Sequence, residues 1–366
     1  MTNKNYGIIG CGMMGVEHIK NIKLLDGADV TAVYDPVFEL AENAAKLAGN
    51  ASVSTSLDQI INNTSLDAIV IVSPNFLHVN QLEKALRQSD ANILCEKPLF
   101  TDISDHSRIK QLNKRYKDRV WVAMEYRYMP PIEALINQSL DVTGHIELLS
   151  IREHRFPFLE KVGDWNRFNK NTGGTFVEKC CHFFDLMRLI LRAEPIRVAA
   201  SGGQAANHLD ENYNGETPDI WDSGYVLVDF DNGSRAMLEL CMFADGSLWN
   251  EEISAVGAKG KIECRLPGPH RFWPSDLGEP PHSQLTISPR TPKKPVTTEI
   301  TVDSDLLLAG DHHGSTYYQH QQFLKLINNG GVPDVSIEDG RMAVLMGMAA
   351  QIAASEKRVV ELSEFD

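Results

Sequence analysis

Tyr6-Gly-Ile-Ile-Gly10-Cys-Gly12-Met-Met-Gly15 is a short apolar run that breaks into three glycines. This is the G-x-G-x-x-G spacing of a dinucleotide site. Gly10 permits the tight turn from strand to helix, Gly12 lets a pyrophosphate approach the backbone, and Gly15 lets the helix pack closely on the sheet. The N–H groups of Cys11, Met13 and Met14 are then available to an anion at the start of that helix. Glycine-rich turns after strands are common, so the flanking residues have to decide.

Met14 to Leu25 reads as a helix, and Asp29-Val-Thr-Ala-Val-Tyr-Asp35 as a buried strand that ends in an acid. Asp35 lies twenty residues beyond Gly15, where a carboxylate accepts hydrogen bonds from the adenosine ribose hydroxyls. It would repel a 2′-phosphate, and Pro36-Val37-Phe38 brings no arginine to receive one, so NAD is expected over NADP. The plainer alternative is that Asp35 only caps the turn before Pro36.

Beyond Asp35, helices and strands alternate. The strand Asp67-Ala-Ile-Val-Ile-Val runs into Ser73-Pro74-Asn75, and the strand Asn92-Ile-Leu-Cys runs into Glu96-Lys97-Pro98. Such alternation predicts a parallel, doubly wound Rossmann sheet over residues 1–125, an α/β fold. Ligands sit at the carboxyl ends of these strands, so Ser73, Pro74, Asn75, Glu96 and Lys97 should face the crevice that Gly12 faces. A partly desolvated lysine fixed from behind by proline suits a proton donor or acceptor, and Glu96 could hold either the nicotinamide ribose or the lysine. A surface lysine in an ordinary turn is the alternative.

Gly10-x-Gly12-x-x-Gly15, Asp35, Ser73-Pro74-Asn75 with His78, and Glu96-Lys97-Pro98 together resemble the Gfo/Idh/MocA family, the relatives of glucose–fructose oxidoreductase and inositol dehydrogenase. The resemblance implies that Lys97 is catalytic, that the peptide bond before Pro98 is cis, and that His78 belongs to the cofactor site. It extends through the second half of the chain.

Length and composition agree with two domains. The 366 residues exceed one ordinary core. Residues 126–366 are expected to form an α+β substrate-binding and oligomerisation domain with a large, mainly antiparallel open sheet. The net charge of −14, with no basic cluster, argues against nucleic acid or an anionic membrane as partner. No run of eighteen apolar residues appears, and Met1-Thr-Asn-Lys-Asn is not followed by a signal-peptide core. The six cysteines have no disulfide-framework spacing, so a cytoplasmic location is expected. Cys180-Cys181-His182 lacks a C-x-x-C partner, and no metal is expected.

In the second half, Glu125-Tyr-Arg127-Tyr-Met-Pro-Pro131 marks the crossing between domains, and Arg127 resembles the family's arginine there. Residues 157–174 are irregular and carry Trp165, which could stack on a sugar ring or simply be buried. Thr175 to Leu191 reads as one helix, with Glu178, His182 and Asp185 on a single face. His182 held between two acids is suited to moving a proton, while a satisfied core histidine is the plain alternative. The family pattern Gly-Gly then Asp-x-x-x-His-x-x-Asp matches at Gly173, Gly174, His182 and Asp185, with Glu178 in place of the first aspartate.

Strand-like runs follow, joined by Asp231-Asn-Gly and Ala258-Lys-Gly turns that imply antiparallel pairing. Met237 to Phe243 is apolar on both faces, and the family associates through this sheet, which implies a homodimer or homotetramer. Leu266 to Pro295 reads as a long loop. In Gly310-Asp-His-His313-Gly-Ser315-Thr-Tyr317, His313 or Tyr317 could hydrogen-bond a hydroxylated substrate, and Ser315 would otherwise be a helix cap.

These readings converge on a dehydrogenase of a sugar or cyclitol secondary alcohol. Lys97 and His182 would move the proton, with Glu178 and Asp185 orienting His182 and the substrate. The rivals are a family branch that retains NAD and cleaves glycosides, and a nonenzymatic sensor.

Overall fold

A computed structural model describes residues 3–366. Met1 and Thr2, the start of the stretch read as lacking a signal core, lie outside the described residues. Six strands make the first sheet: β1 Lys4–Ile9, β2 Ala28–Tyr34, β3 Ser52–Val53, β4 Ala68–Ile71, β5 Asn92–Cys95 and β6 Val120–Val122. Their order is β3-β2-β1-β4-β5-β6, and every neighbouring pair is parallel. The order reverses between β1 and β4, the topological switch point where a doubly wound sheet opens its crevice. Ile8, Ile69, Val70, Ile93 and Leu94 are fully buried, as strands covered by helices on both faces must be.

The three glycines have three separate jobs. Gly10 has φ +100°, and a Cβ there would lie 2.6 Å from the carbonyl oxygen of Val72. A Cβ on Gly15 would lie 2.1 Å from the carbonyl oxygen of Gly10, so only glycine lets helix α1 (Met13–Ile22) sit this close to β1. Gly12 has nothing within 4 Å and stands open to the crevice.

The second sheet has nine strands in the order β14-β13-β12-β11-β7-β10-β9-β8-β15. They are β7 Ile146–His154, β8 Pro195–Gly203, β9 Ser223–Phe230, β10 Arg235–Cys241, β11 Glu251–Gly257, β12 Gly260–Leu266, β13 Ser283–Pro289, β14 Val296–Ile300 and β15 Val360–Glu361. All neighbours are antiparallel except β7 and β10, which run parallel. The two expected turns do join antiparallel hairpins, β9 to β10 and β11 to β12. One expectation fails: β13 lies inside the stretch read as a loop, where Leu285 and Ile287 alternate and pair with Cys264 and Ile262. The surrounding prolines and glycines hid that short alternation.

The helix Ile337–Glu356 opens on a capping box between Ser336 and Asp339 and ties the two halves together. A Cβ on its Gly340 would meet Val122 of β6 at 2.9 Å, and one on Gly347 would meet the carbonyl oxygen of Phe176 at 2.5 Å. Val122 N–H also donates to the carbonyl of Val335 at 3.0 Å. The helix Ser315–Asn329 packs on α1. Its N-cap is Gly314 rather than Ser315, whose buried hydroxyl makes no hydrogen bond. No helix among the described residues is long and apolar enough to cross a membrane.

Candidate active site

A cavity of about 560 Å³ runs from the β1–α1 turn to the second domain. Gly12, Ser73, Asn75, Glu96 and Lys97 share its wall, as the strand-end argument requires. So do Gly10, Met13, Met14, Asp35, Pro74 and His78. Gly15 serves packing, and Cys11 points inward, with its thiol against the Tyr34 carbonyl at 3.6 Å and its pKa pushed up to about 12 by burial. Asp35 accepts from the Cys11 N–H and the Val37 N–H, both at 2.8 Å. It therefore caps its turn and lines the cavity at once.

His78 lines the cavity and also has a structural task. Its two ring nitrogens face the carbonyls of Pro98 at 2.8 Å and Ser73 at 2.9 Å, so the ring fastens the two loops together. The Lys97–Pro98 bond is cis.

Lys97 is held at two points. Its Nζ donates to the carbonyl of Glu178 at 3.0 Å, and its backbone N–H donates to Glu96 Oε2 at 3.1 Å. Glu96 Oε1 lies 3.0 Å from His18 Nε2, and His18 Nδ1 lies 2.7 Å from His320 Nε2. Burial works against charge on both, yet the pair holds Glu96 below the usual carboxylate range and His18 above the usual imidazole range. The carboxylate of Glu96 thus braces the lysine backbone.

The expected helix over Thr175–Leu191 is broken. Thr175–Glu178 and Cys181–Leu191 are separate helices, and the interruption at Lys179-Cys180 changes the geometry. Asp185 does not reach His182, because both its oxygens are taken by Arg127. Arg127 in turn donates to the carbonyl of Asp334 at 2.9 Å and pairs with Asp339. Neither Arg127 nor Asp185 lines the cavity; together they staple the domain junction. Glu178 makes no side-chain hydrogen bond to His182.

His182 instead stacks on Tyr126, with ring centroids 4.1 Å apart and planes within 7°. Burial first, then the charges of Lys97 and Lys179, drive its pKa well below the ordinary value, so the ring is neutral. Its Nδ1, Glu178 Oε2 and Asn75 Nδ2 are buried without partners on the wall of one cavity. Polar atoms left in this state call for a ligand rich in hydroxyl or amide groups. The open space at Gly12 and the uncapped N-terminus of α1 suit a pyrophosphate, so the residues present fit a dinucleotide.

Two clusters escaped the sequence reading. Lys179, 4% exposed, donates to Tyr126 Oη at 2.6 Å and pairs with Glu153 at 2.8 Å. Glu251 sits in the same nest, raised to about 7 by burial and then by Glu153. The second cluster joins Glu17 of α1, Glu125 and His312, with His312 Nδ1 at 2.9 and 3.3 Å from the two carboxylates and Thr316 donating into the group. Burial is outweighed there by Glu125 and Glu17, which raise His312 to about 9. The three ligand atoms lie within 4.8 Å of one another, close enough for a divalent ion, but His312 supplies the positive charge itself.

His313 lines the cavity, but its Nε2 is committed to the Pro267 carbonyl at 3.0 Å, and burial lowers it to about 4. Tyr317 is not on the cavity wall. Trp165 is, edge-on to Phe76 at 6.2 Å, so the 157–174 segment does reach over the cleft. Cys180 and Cys181 are buried thiols whose pKa values burial raises, the state opposite to a metal ligand.

The model of the oxidoreductase family, NAD-binding Rossmann fold, matches residues 4–124, and that of the oxidoreductase family, C-terminal alpha/beta domain, matches residues 140–362. The chain is 23% identical over 369 residues to the myo-inositol 2-dehydrogenase of Thermotoga maritima, with 98% of each chain covered. It is 28% identical over 259 residues to the inositol 2-dehydrogenase of Rhizobium meliloti, covering 70% of this chain and 74% of that one. The myo-inositol dehydrogenase from Lactobacillus casei, solved in complex with NAD(H) and myo-inositol, shares the fold with a TM-score of 0.74 at 21% identity, over 98% of this chain and 97% of that one.

Proposed function

The chain belongs to the Gfo/Idh/MocA oxidoreductase family, and from that premise we propose that it is an NAD-dependent dehydrogenase of a secondary hydroxyl on a cyclitol or sugar. The observation that carries this reading is the pairing of Lys97 with a neutral, unpartnered His182 on one cavity wall. When bound, the nicotinamide supplies the redox chemistry, accepting a hydride from the carbinol carbon. The Met13 and Met14 N–H groups and Gly12 would hold the pyrophosphate, with Asp35 on the adenosine ribose.

The protein's own task is placement and proton transfer. His182 has a free lone pair for the hydroxyl proton, and its stack on Tyr126 fixes the plane in which it can act. The Lys97 amino group, steered by the Glu178 carbonyl and the braced backbone at Glu96, holds the hydroxyl oxygen as charge develops on it. Glu178, Trp165 and His313 complete the wall around the ring. Asp35 supports NAD over NADP, and Asp35→Ala should narrow that preference in paired kinetics.

Absorbance at the NADH wavelength tests the reading with inositols, aldoses and glycosides, each with NAD and NADP. Reduction of NAD by a polyhydroxylated substrate is expected. Release of free sugar from a glycoside with no net absorbance change would replace the reading.

Two further parts of the proposal concern setting. Six free thiols support a cytoplasmic location. The outer face of the second sheet exposes Leu148, Tyr225 and Leu227 at 51–57%, which supports a homodimer or homotetramer through it.

A further inference from the structure

Arg155 and Lys161 reach the cavity from the segment that leaves β7, on the side where the substrate would lie. They differ from the other cations there. Lys97 and Lys179 are committed to Glu178, Tyr126 and Glu153. Lys161 is half-buried yet has neither an ion-pair partner within 4 Å nor a hydrogen bond among the described residues. The Arg155 guanidinium lies 4.2 Å over the Phe156 ring and reaches Glu153 only at 3.5 Å, through Nη1; its Nη2 makes no hydrogen bond.

The acids nearby do not balance these cations. Glu178 faces Lys97 as well as Lys161, and burial raises its pKa. Glu153 and Glu251 already face Lys179 and Arg155, and Glu251 titrates near 7. Glu160 is exposed to solvent. Glu96 is taken up by His18, and Glu17 and Glu125 by His312. Burial lowers the pKa of Lys161 by more than Glu178, Glu96 and Glu17 raise it, and none of these carboxylates forms an ion pair with it.

Resting on the dehydrogenase reading, we propose that Lys161 is a specificity-determining cation and that the substrate is a polyhydroxylated monocarboxylate, a uronate- or aldonate-like acid, rather than a neutral polyol. One unpaired ammonium matches one carboxylate charge, and the free Nη2 edge of Arg155 supplies N–H donors for the same group. The ring hydroxyls are left to Glu178, His182 and Asn75.

Glucuronate against glucose, and gluconate against sorbitol, separate charge from shape. Each is titrated into the enzyme–NADH complex by nicotinamide fluorescence and then assayed for turnover with NAD. The acids should bind about 10- to 100-fold more tightly than their neutral counterparts. Lys161→Met should bring that ratio close to one, and Lys161→Arg should restore part of it. A ratio near one in the unmodified protein, or equal losses on acid and neutral ligands in Lys161→Met, would overturn the proposal while leaving the dehydrogenase reading intact. Failure of the protein to bind NADH would instead remove the reading on which it rests.

Discussion

At the Gly12 end of the cavity recognition belongs to the backbone: a turn, an absent Cβ and the first N–H groups of one helix, all within ten residues. At the Lys97 end it belongs to buried ionisable side chains, gathered from residues 97, 126, 161, 178, 182, 251 and 312. The first is set by local conformation and tolerates most side chains around it. The second exists only when both domains are folded and packed, and each of its charges depends on a neighbour from another segment. Damage at one end should therefore appear in cofactor binding, and at the other in turnover, stability and pH dependence.

The sharpest test of that division is Lys97→Ala. It should lower kcat by about 10²–10⁴ while NADH still binds, read by stopped-flow turnover beside fluorescence titration. Survival of turnover would remove Lys97 from the chemistry. Lys179→Met should be felt in folding as well, because Glu153 and Glu251 would lose their buried counter-charge. A loss of about 3–5 kcal/mol in urea unfolding is expected.

His312 gives the pH signature. Its folded pKa of about 9 lies above the ordinary 6.5, so its contribution is complete below about pH 6.5 and fades as pH rises through 9. The difference is on the order of 3 kcal/mol. Melting temperatures of the unmodified protein should fall across that window, and those of His312→Gln should fall less. An identical slope in both would mean that the carboxylates are balanced in another way.

The smallest effect is expected at Gly12. With nothing within 4 Å of its missing Cβ, Gly12→Ala should leave the melting temperature in place and raise KM for NAD several-fold. Gly10→Ala, at φ +100° against the Val72 carbonyl, should instead lower stability by about 1–3 kcal/mol. If the two variants behaved alike, the three glycines would not have separate jobs.

The same division explains what could be read in advance. The G-x-G-x-x-G turn, Asp35 and the strand ends are short-range features whose spacing carries their geometry, and the parallel sheet follows from alternation. The substrate end was half legible. Lys97 and His182 stood out by motif, but the arms of their network did not. A signal for Glu153 and Glu251 was present: Leu149, Ile151 and Glu153 alternate on one face of β7, and Glu251, Ile253 and Ala255 on one face of β11. An acid in step with core residues is a buried acid, and a buried acid needs a partner. Asp185 misled because i, i+3 spacing within the helix Cys181–Leu191 says nothing of Arg127, fifty-eight positions away, which takes both its oxygens. Between His312 and His313 no periodicity decides, since His313 adopts φ 51° and turns its ring toward Pro267.

Helix α1 begins at the cofactor wall with Gly12 and, a turn and a half later, carries Glu17 and His18 into contact with His312, Thr316 and His320 from the far end of the chain. Swinging the domains apart would strip His312 of both carboxylates together and split the His18–His320 contact. Amide exchange over residues 311–318 should accordingly be slow before any nucleotide is added. The cleft should then behave as a fixed mould and not as jaws, with choice among substrates resting on which solute already matches its contours and charges.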